Sequence, residues 1–371
     1  MSHIYLDHNA TVSIEPEVQS AMLEVMGLPF NPSSTHSFGR KAHGIIETSR
    51  NKVATLAGAT DCRVIFTASG TEANNLAVKG VTGYRPMVSA IEHISVLKPA
   101  KDNGCIVVPV TNDGNINIEA LDKLLAMEKS KCVVSIMLAN NETGIIQPIK
   151  KVVEIAHRYG AIVHTDAAQC FGKIPVNMND LGVDMLSISA HKFGGPQGAA
   201  ALIAKKNVPL HAEITGGGQE LGFRAGTQNV AAIYGFGMAA ELVYNNISSD
   251  IEYLRNQLET EIKAFAPEVV VFGHNQNRLP NTSYLTMSNV QAETQLIHFD
   301  INGIAVSAGS ACSSGKIETS HVLKAMGVTD SIAKTTIRVS LGKNNTKNDI
   351  EAFILAWKQL YTKINEERSA A

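Results

Sequence analysis

The stretch Leu186–Gly198 (LSISAHKFGGPQG) holds a lysine among small residues, and it offers the first chemistry in this chain. An apolar run from Met185 to Ile188 leads into Ser189-Ala190-His191-Lys192. Gly194, Gly195 and Pro196 then force a turn before a second apolar run, Ala199–Ala204. A lysine at the mouth of such a hairpin either snorkels to water or stays buried. Burial would lower its pKa and free an amine for Schiff-base chemistry. Three further sets of polar residues also close apolar runs: Gly70-Thr71, Asn141, and Asp166 with Gln169. Ligands of open α/β sheets bind beyond the carboxyl ends of the strands, so four such sets in one chain point to one site.

Each set has a plain reading beside the chemical one. Gly70-Thr71 places free N–H groups at a helix start, where either a phosphate or an ordinary cap satisfies them. Asp166 needs a cationic or N–H partner, and a protonated ring nitrogen, an arginine or a metal ion each fits. His93 either lies flat against a ring or is a satisfied structural histidine. Jointly the sets ask for a ring with a phosphate, an acid-seeking nitrogen and an aldehyde for Lys192. Pyridoxal 5′-phosphate meets every demand. Cys312 lies in Ser307–Gly315, where small side chains and two glycines predict an exposed, mobile loop. It is either a nucleophile, if its thiolate is favoured, or an accidental surface thiol. Cys62, Cys105 and Cys132 adjoin or lie within predicted strands and are expected in the core, and Cys170 is expected to pack rather than react.

The elements that must position these residues follow from hydrophobic periodicity. Pro16 starts a first helix and a second ends near Gly58. Strands are predicted at Val64–Thr67, Met87–Ser89, Cys105–Val110, Cys132–Leu138 and Ala161–Thr165. Helices are predicted from Ser69 through Ala77, after His93, and over Ile149–Tyr159. This alternation predicts an α/β fold, a mostly parallel sheet with helices on both faces. From about Ser249 it stops: a helix Ile251–Phe265, apolar runs Val269–Phe272 and Asn281–Met287, a helix near Glu293–Phe299, a run Thr336–Leu341 and a final helix. Thr346 and Asp349 are spaced as a capping box for that last helix. Residues 16–248 are therefore expected to form a large cofactor-binding domain. Residues 1–15 and 249–371 are expected to form a smaller α+β domain that carries the Cys312 loop.

With 44% hydrophobic and 18% charged residues the 371-residue chain is expected to be globular, and a net charge of -2 gives no electrostatic attraction to nucleic acid or an anionic membrane. Five scattered cysteines with no CxxC or Cys/His cluster predict no disulfide framework and no metal in the free protein. No signal-peptide pattern opens the chain and no run is long enough to span a bilayer, so a cytoplasmic protein is expected. No GxGxxG follows the first strand, which argues against a dinucleotide-binding dehydrogenase.

The motifs DHNAT, NPSSTH, FTASGTEANN, EH at 92–93, NNETG, HTDAAQ, SAHKFGGPQG, GFRAGTQN, SAGSACSSG and IRVSLG, taken in order from about Tyr5 to Gly342, resemble cysteine desulfurases of the NifS/IscS group. These are fold-type I pyridoxal-phosphate enzymes of the class V branch. The resemblance implies that Lys192 binds the cofactor aldehyde, His93 stacks on its ring and shuttles a proton, Asp166 pairs with its nitrogen, and Gln169 bonds its phenolic oxygen. It implies that Gly70, Thr71, Ser189 and His191 hold the phosphate. Thr227 would reach the phosphate in the partner subunit of a homodimer. Asn141 and Arg338 would orient L-cysteine, Arg338 gripping its carboxylate. Cys312 would take the sulfur as a persulfide, leaving L-alanine. It would then pass the sulfur to an iron–sulfur scaffold or another acceptor protein, with a scaffold transiently ligating a cluster through Cys312. Val12-Ser13 stands where Thr-Pro is usual and Ala308 where Ser is common. The tail Glu366–Ala371 is short beside the scaffold-docking extension of IscS-like members. Selenocysteine lyases and aminotransferases of the same fold are the nearest rival readings.

Overall fold

Short apolar runs flanked by amphipathic helices fold here into a seven-stranded sheet, seen in a computed structural model that describes residues 3–244, 250–309 and 319–369. The chain begins with β1 (Ile4–Tyr5), α1 (Pro16–Met26), α2 (Ser37–Leu56), β2 (Arg63–Thr67), α3 (Gly70–Lys79), β3 (Arg85–Ser89), α4 (Ile94–Asp102) and β4 (Ile106–Val108). It continues with α5 (Ile118–Met127), β5 (Cys132–Ser135), α6 (Ile149–Arg158), β6 (Ile162–Asp166), α7 (Met178–Leu181), β7 (Met185–Ser189), β8 (Ala200–Ala204) and α8 (Val230–Tyr244). The strand order is β2-β8-β7-β6-β5-β3-β4. Strands β3 to β7 pair in parallel, and β8 runs against both β7 and β2. Every residue of β5, β7 and β8 is buried, which is why these strands read as unbroken apolar runs rather than alternating ones.

Helix α8 packs on α1 and α2. A Cβ on Gly237 would sit 2.7 Å from Ser49 of α2, so glycine is what lets the two helices approach so closely. The remaining elements are α9 (Asp250–Phe265), β9 (Thr282–Thr286), α10 (Ala292–Ile301), β10 (Ile304–Ala305), α11 (His321–Ala325), α12 (Asp330–Ala333), β11 (Thr336–Ser340) and α13 (Lys347–Ser369). They enclose a second apolar core that includes Leu6, Leu258, Ile337 and Trp357, with Phe299 stacked on Phe353 at 4.8 Å between ring centroids. The capping box forms as expected: Thr346 N–H donates to Asp349 Oδ2 (2.9 Å) and Asp349 N–H to Thr346 Oγ1 (3.4 Å).

Two expectations need correction. Val269–Phe272 forms no strand; Val271 makes an isolated bridge to Leu285, and Gly273, at φ 74°, turns the chain away. Helix α13 continues to Ser369, so most of the expected tail is helical. The N-terminal segment ties the two cores together. His8 N–H donates to the Ser340 carbonyl at the end of β11, and Val12 N–H to the His191 carbonyl beyond β7. No helix among the described residues is long and apolar enough to cross a membrane.

Candidate active site

The carboxyl ends of β2, β3, β5, β6 and β7 open on one cavity of about 160 Å³. It brings together Gly70, Thr71, His93, Asn141, Asp166, Gln169, Ser189, His191 and Lys192, residues separated by more than a hundred positions in the chain.

One end of the cavity is built to receive an anion. Ser69 caps α3, its Oγ accepting from Glu72 N–H (3.2 Å), while Glu72 Oε2 accepts from Ala68 N–H (3.0 Å). That leaves the N–H groups of Gly70 and Thr71, at the positive end of the helix dipole, with no acceptor among the described residues. Ser189 faces them closely enough that a Cβ on Gly70 would lie 3.5 Å from its Cβ. His191 Nδ1 lies 3.1 Å from Thr11 Oγ1, and burial, helped by the Lys192 charge, lowers its pKa to about 4, so the ring is neutral.

The inner end is acidic. Asp166, the last residue of β6, is buried; Oδ2 accepts from Asn74 Nδ2 (2.6 Å) and Oδ1 from Ala168 N–H (2.9 Å). Both donors are neutral. The arginine that would have explained Asp166 as a structural ion pair is not there, and no cluster of metal-ligating side chains surrounds it among the described residues. A buried carboxylate with neutral donors only is a fit for a protonated ring nitrogen. His93 caps α4, Nδ1 lying 2.7 Å from Ser95 Oγ. Burial lowers its pKa, with Asp166 opposing and Lys192 adding to the effect.

Lys192 does not snorkel away from the site. Its Nζ donates to the carbonyls of Asn9 (2.7 Å) and Ala10 (2.9 Å). Burial, then the Arg338 charge, lowers its pKa to about 8 against the opposing pull of Asp166 and Asp7, so a useful fraction of the amine is neutral near pH 7. The donor set therefore suits a phosphate at one end, a basic ring nitrogen at the other and an aldehyde between, which is the demand of pyridoxal phosphate.

Other expected residues stand differently. Gln169 lines the cavity but is already engaged: Nε2 donates to the Asn9 carbonyl (2.9 Å) and Oε1 accepts from Lys173 Nζ (2.9 Å). Arg338, in β11, does not line the cavity. It donates to the Asn141 carbonyl (2.8 Å) and to Asp7 Oδ1 (2.6 Å), while its buried Nε has no partner. Thr227 is exposed and outside the cavity, on a loop tied to α3 by Arg224 Nε donating to Glu72 Oε1 (2.8 Å). Cys312 lies outside the described residues. Of the described flanks of its segment, Ser320 Oγ donates to Glu142 Oε2, and the Ala308 carbonyl lies 3.4 Å from Tyr284 OH, which is itself 3.2 Å from Glu142 Oε2. Cys132 and Cys170 are buried, whereas Cys62 and Cys105, expected in the core, are half-buried.

Sequence reasoning gave no role to four residues that shape the site: Asn9, Asn74 and Glu92, which lie inside the motifs, and Lys173, which does not. Asn74 sits one helical turn past Gly70, a spacing that could have marked it. Glu92 is buried, its pKa pushed up to about 8 by desolvation, and its Oε1 accepts from Met137 N–H (2.9 Å), bracing the turn before His93. The role of Asn9 shows only in the fold, because its partners lie on distant segments.

Known proteins resemble this one along nearly its whole length. The model of the aminotransferase class-V family matches residues 4–353. A cysteine desulfurase IscS from Dictyoglomus turgidum is 42% identical over 362 residues, covering 94% of this chain and 91% of its own. The crystal structure of a NifS-like protein from Rickettsia africae superposes with a TM-score of 0.91 at 44% identity, covering 97% of this chain and 99% of that one. A structure of SspA in complex with cysteine superposes with a TM-score of 0.78 at 30% identity, covering 91% and 98%. The chain belongs to the aminotransferase class-V family and, within it, to the pyridoxal-phosphate-dependent cysteine desulfurases of the NifS/IscS group.

Proposed function

We propose that the protein converts L-cysteine to L-alanine, captures the sulfur as a persulfide on Cys312, and hands it to an acceptor protein. The observation that carries this reading is Lys192: a half-buried residue whose amine has a lowered pKa, on the wall of a cavity that has a counter-ion-seeking carboxylate at one end and free helix N–H groups at the other. The solved relative that holds cysteine supports the substrate.

Pyridoxal phosphate, when bound, supplies an aldehyde for the substrate amine and a ring that draws electrons from the bonds at Cα. Gly70, Thr71, Ser189 and His191 hold its phosphate, Asp166 keeps its ring nitrogen protonated, His93 covers its face, and Gln169 donates to its phenolic oxygen. Thr227 of the second subunit of a homodimer completes the phosphate site. Lys192 Nζ, neutral for part of the time near pH 7, takes the proton from the cysteine Cα. Asn141 orients the substrate; Arg338 grips the substrate carboxylate after exchanging its hold on Asp7. Cys312 Sγ attacks the substrate sulfur, so one S–S bond forms as the C–S bond breaks. The electron pair of that bond stays on carbon, which takes up protons, His93 serving as shuttle, and leaves as alanine. Thiol and cysteine in, persulfide and alanine out, the step needs no external oxidant or reductant.

The two apolar cores support dividing the chain into a large cofactor-binding domain, 16–248, and a small domain, 1–15 with 249–371, that carries Cys312. The sulfur acceptor is an iron–sulfur scaffold or a tRNA-thiolating partner, with Cys312 ligating a nascent cluster in passing, and the setting is the cytoplasm. The test is Cys312→Ser: alanine formation from cysteine should cease while the yellow cofactor band stays. Surviving turnover would sink the reading. Alanine and sulfide measured with and without a candidate scaffold would then identify the acceptor.

A further inference from the structure

We propose that Lys173 is a positioning residue for the cofactor: it fixes the Gln169 amide with its N–H edge toward the cavity and orders Asn9, the residue on which the Lys192 amine rests. The inference rests on the pyridoxal-phosphate reading of the site and goes beyond it, to a residue that touches neither cofactor nor substrate.

Lys173 lies four residues past Gln169, in the connection between β6 and α7. Its Nζ donates to Gln169 Oε1 (2.9 Å) and to Asn9 Oδ1 (2.8 Å). When charged, Lys173 can only donate, so the edge of Gln169 that faces it is the oxygen. The other edge donates to the main-chain carbonyl of Asn9 (2.9 Å), which can only accept. With a donor-only partner on one side and an acceptor-only partner on the other, the amide has one orientation. The second N–H on Nε2 is then left for the cavity that Gln169 lines.

The same ammonium orders Asn9. Asn9 Oδ1 accepts from Lys173 and from Asn281 Nδ2 (3.1 Å), while Nδ2 donates to Thr282 Oγ1 (2.9 Å) and to the Asn141 carbonyl (3.3 Å). Its N–H donates to Ser340 Oγ (2.9 Å). Held on all these sides, the Asn9 carbonyl is a fixed acceptor for Lys192 Nζ at 2.7 Å. Lys173 thus reaches the reactive amine and the ring-facing amide through two bonds. Its own setting is costly: burial, with Lys192 and Arg338 adding like charge and Cys170 opposing, lowers its pKa to about 7. His8 is the other titratable group that feels its charge. A second cavity of about 210 Å³, lined by Lys173, Lys192, His8 and Phe193, lies behind the pair.

The test compares holoenzymes of Lys173→Met, Lys173→Arg, Gln169→Ala and the Lys173→Met/Gln169→Ala pair by visible absorption, its pH midpoint and cofactor release on dialysis. The expected result for Lys173→Met is a displaced pH midpoint of the cofactor band and about tenfold weaker cofactor retention. Lys173→Arg should recover most of both, and the double variant should lose less than the two single changes summed, the remainder being the path through Asn9. A folded Lys173→Met protein with the wild-type band, midpoint and retention would overturn the proposal, as would effects of the two single changes that simply add. If Lys173→Met does not fold, Lys173→Gln takes its place under the same two outcomes. Band position needs no turnover, so a wild-type protein that holds the cofactor but leaves cysteine untouched would defeat the functional reading and leave this inference standing.

Discussion

Replacing Lys192 with Met should stabilise the cofactor-free protein near pH 7, because the reactive amine is a liability to the fold that carries it. Burial holds its pKa at about 8, against 10.5 for the free side chain. That difference corresponds to about 3 kcal/mol of unfavourable free energy while the group is charged in both states. Below pH 8 the full cost is present. Between pH 8 and 10.5 the unfolded chain binds the extra proton, so stability rises with pH, and above 10.5 both states are neutral and the cost is gone. Met also loses the bonds to the Asn9 and Ala10 carbonyls, together worth about 1–2 kcal/mol. The net gain expected at pH 7 is then about 1–2 kcal/mol, or about 1–3 °C in Tm for a chain of 371 residues. At pH 10.5 the variant should be no more stable than the wild type. The Lys192 charge also helps to lower the pKa of Lys173, so its removal eases that second amine and adds to the gain at pH 7. Calorimetry of cofactor-stripped protein and variant at the two pH values measures this. A variant less stable at pH 7, or a difference that does not shrink as pH rises, would refute the reasoning.

Two further changes probe the scaffold and the phosphate cradle. Glu220 is buried and accepts from Arg50 Nη1 (2.7 Å) and Nη2 (3.1 Å), Phe66 N–H (2.8 Å) and Gln228 Nε2 (2.9 Å); Glu220→Ala should cost about 3–5 kcal/mol in denaturant unfolding, and a loss under about 1 kcal/mol would contradict it. Gly70→Ala puts a methyl group 3.5 Å from Ser189, an ordinary contact, so Tm should hold while the cofactor dissociation constant rises about tenfold in fluorescence titration. Unchanged affinity would mean that the phosphate does not sit over that helix start.

The sheet was legible because its strands are buried on both faces and end in conspicuous polar residues. Asp166 after β6 and Ser189 after β7 mark the cavity from the sequence alone. Helix α8 was not legible: VAAIYGFGMAAELVY packs against two helices and presents no polar stripe, so no 3.6-residue period stands out. Helix α5 has few buried residues, Leu121 and Leu125, and also escaped the pattern. Within the site, residue types gave the chemistry but not the partners. Gln169 was expected to be free for the cofactor, and only the fold shows it held between Asn9 and Lys173, residues 160 and 4 positions away. Arg338 was expected in the cavity, yet Asp7, 331 positions earlier, holds its guanidinium outside.

The bridge between Asp7 and Ser340 sets an order of events during synthesis. The carbonyl that steadies the reactive amine belongs to Asn9, and the hydroxyl that anchors its N–H belongs to Ser340, 331 positions later. A nascent chain growing at about 5–20 residues per second can assemble the central sheet long before that partner emerges from the ribosome. β10 arrives first to pair with the N-terminal strand, but the amine stays unharnessed until β11 has followed it.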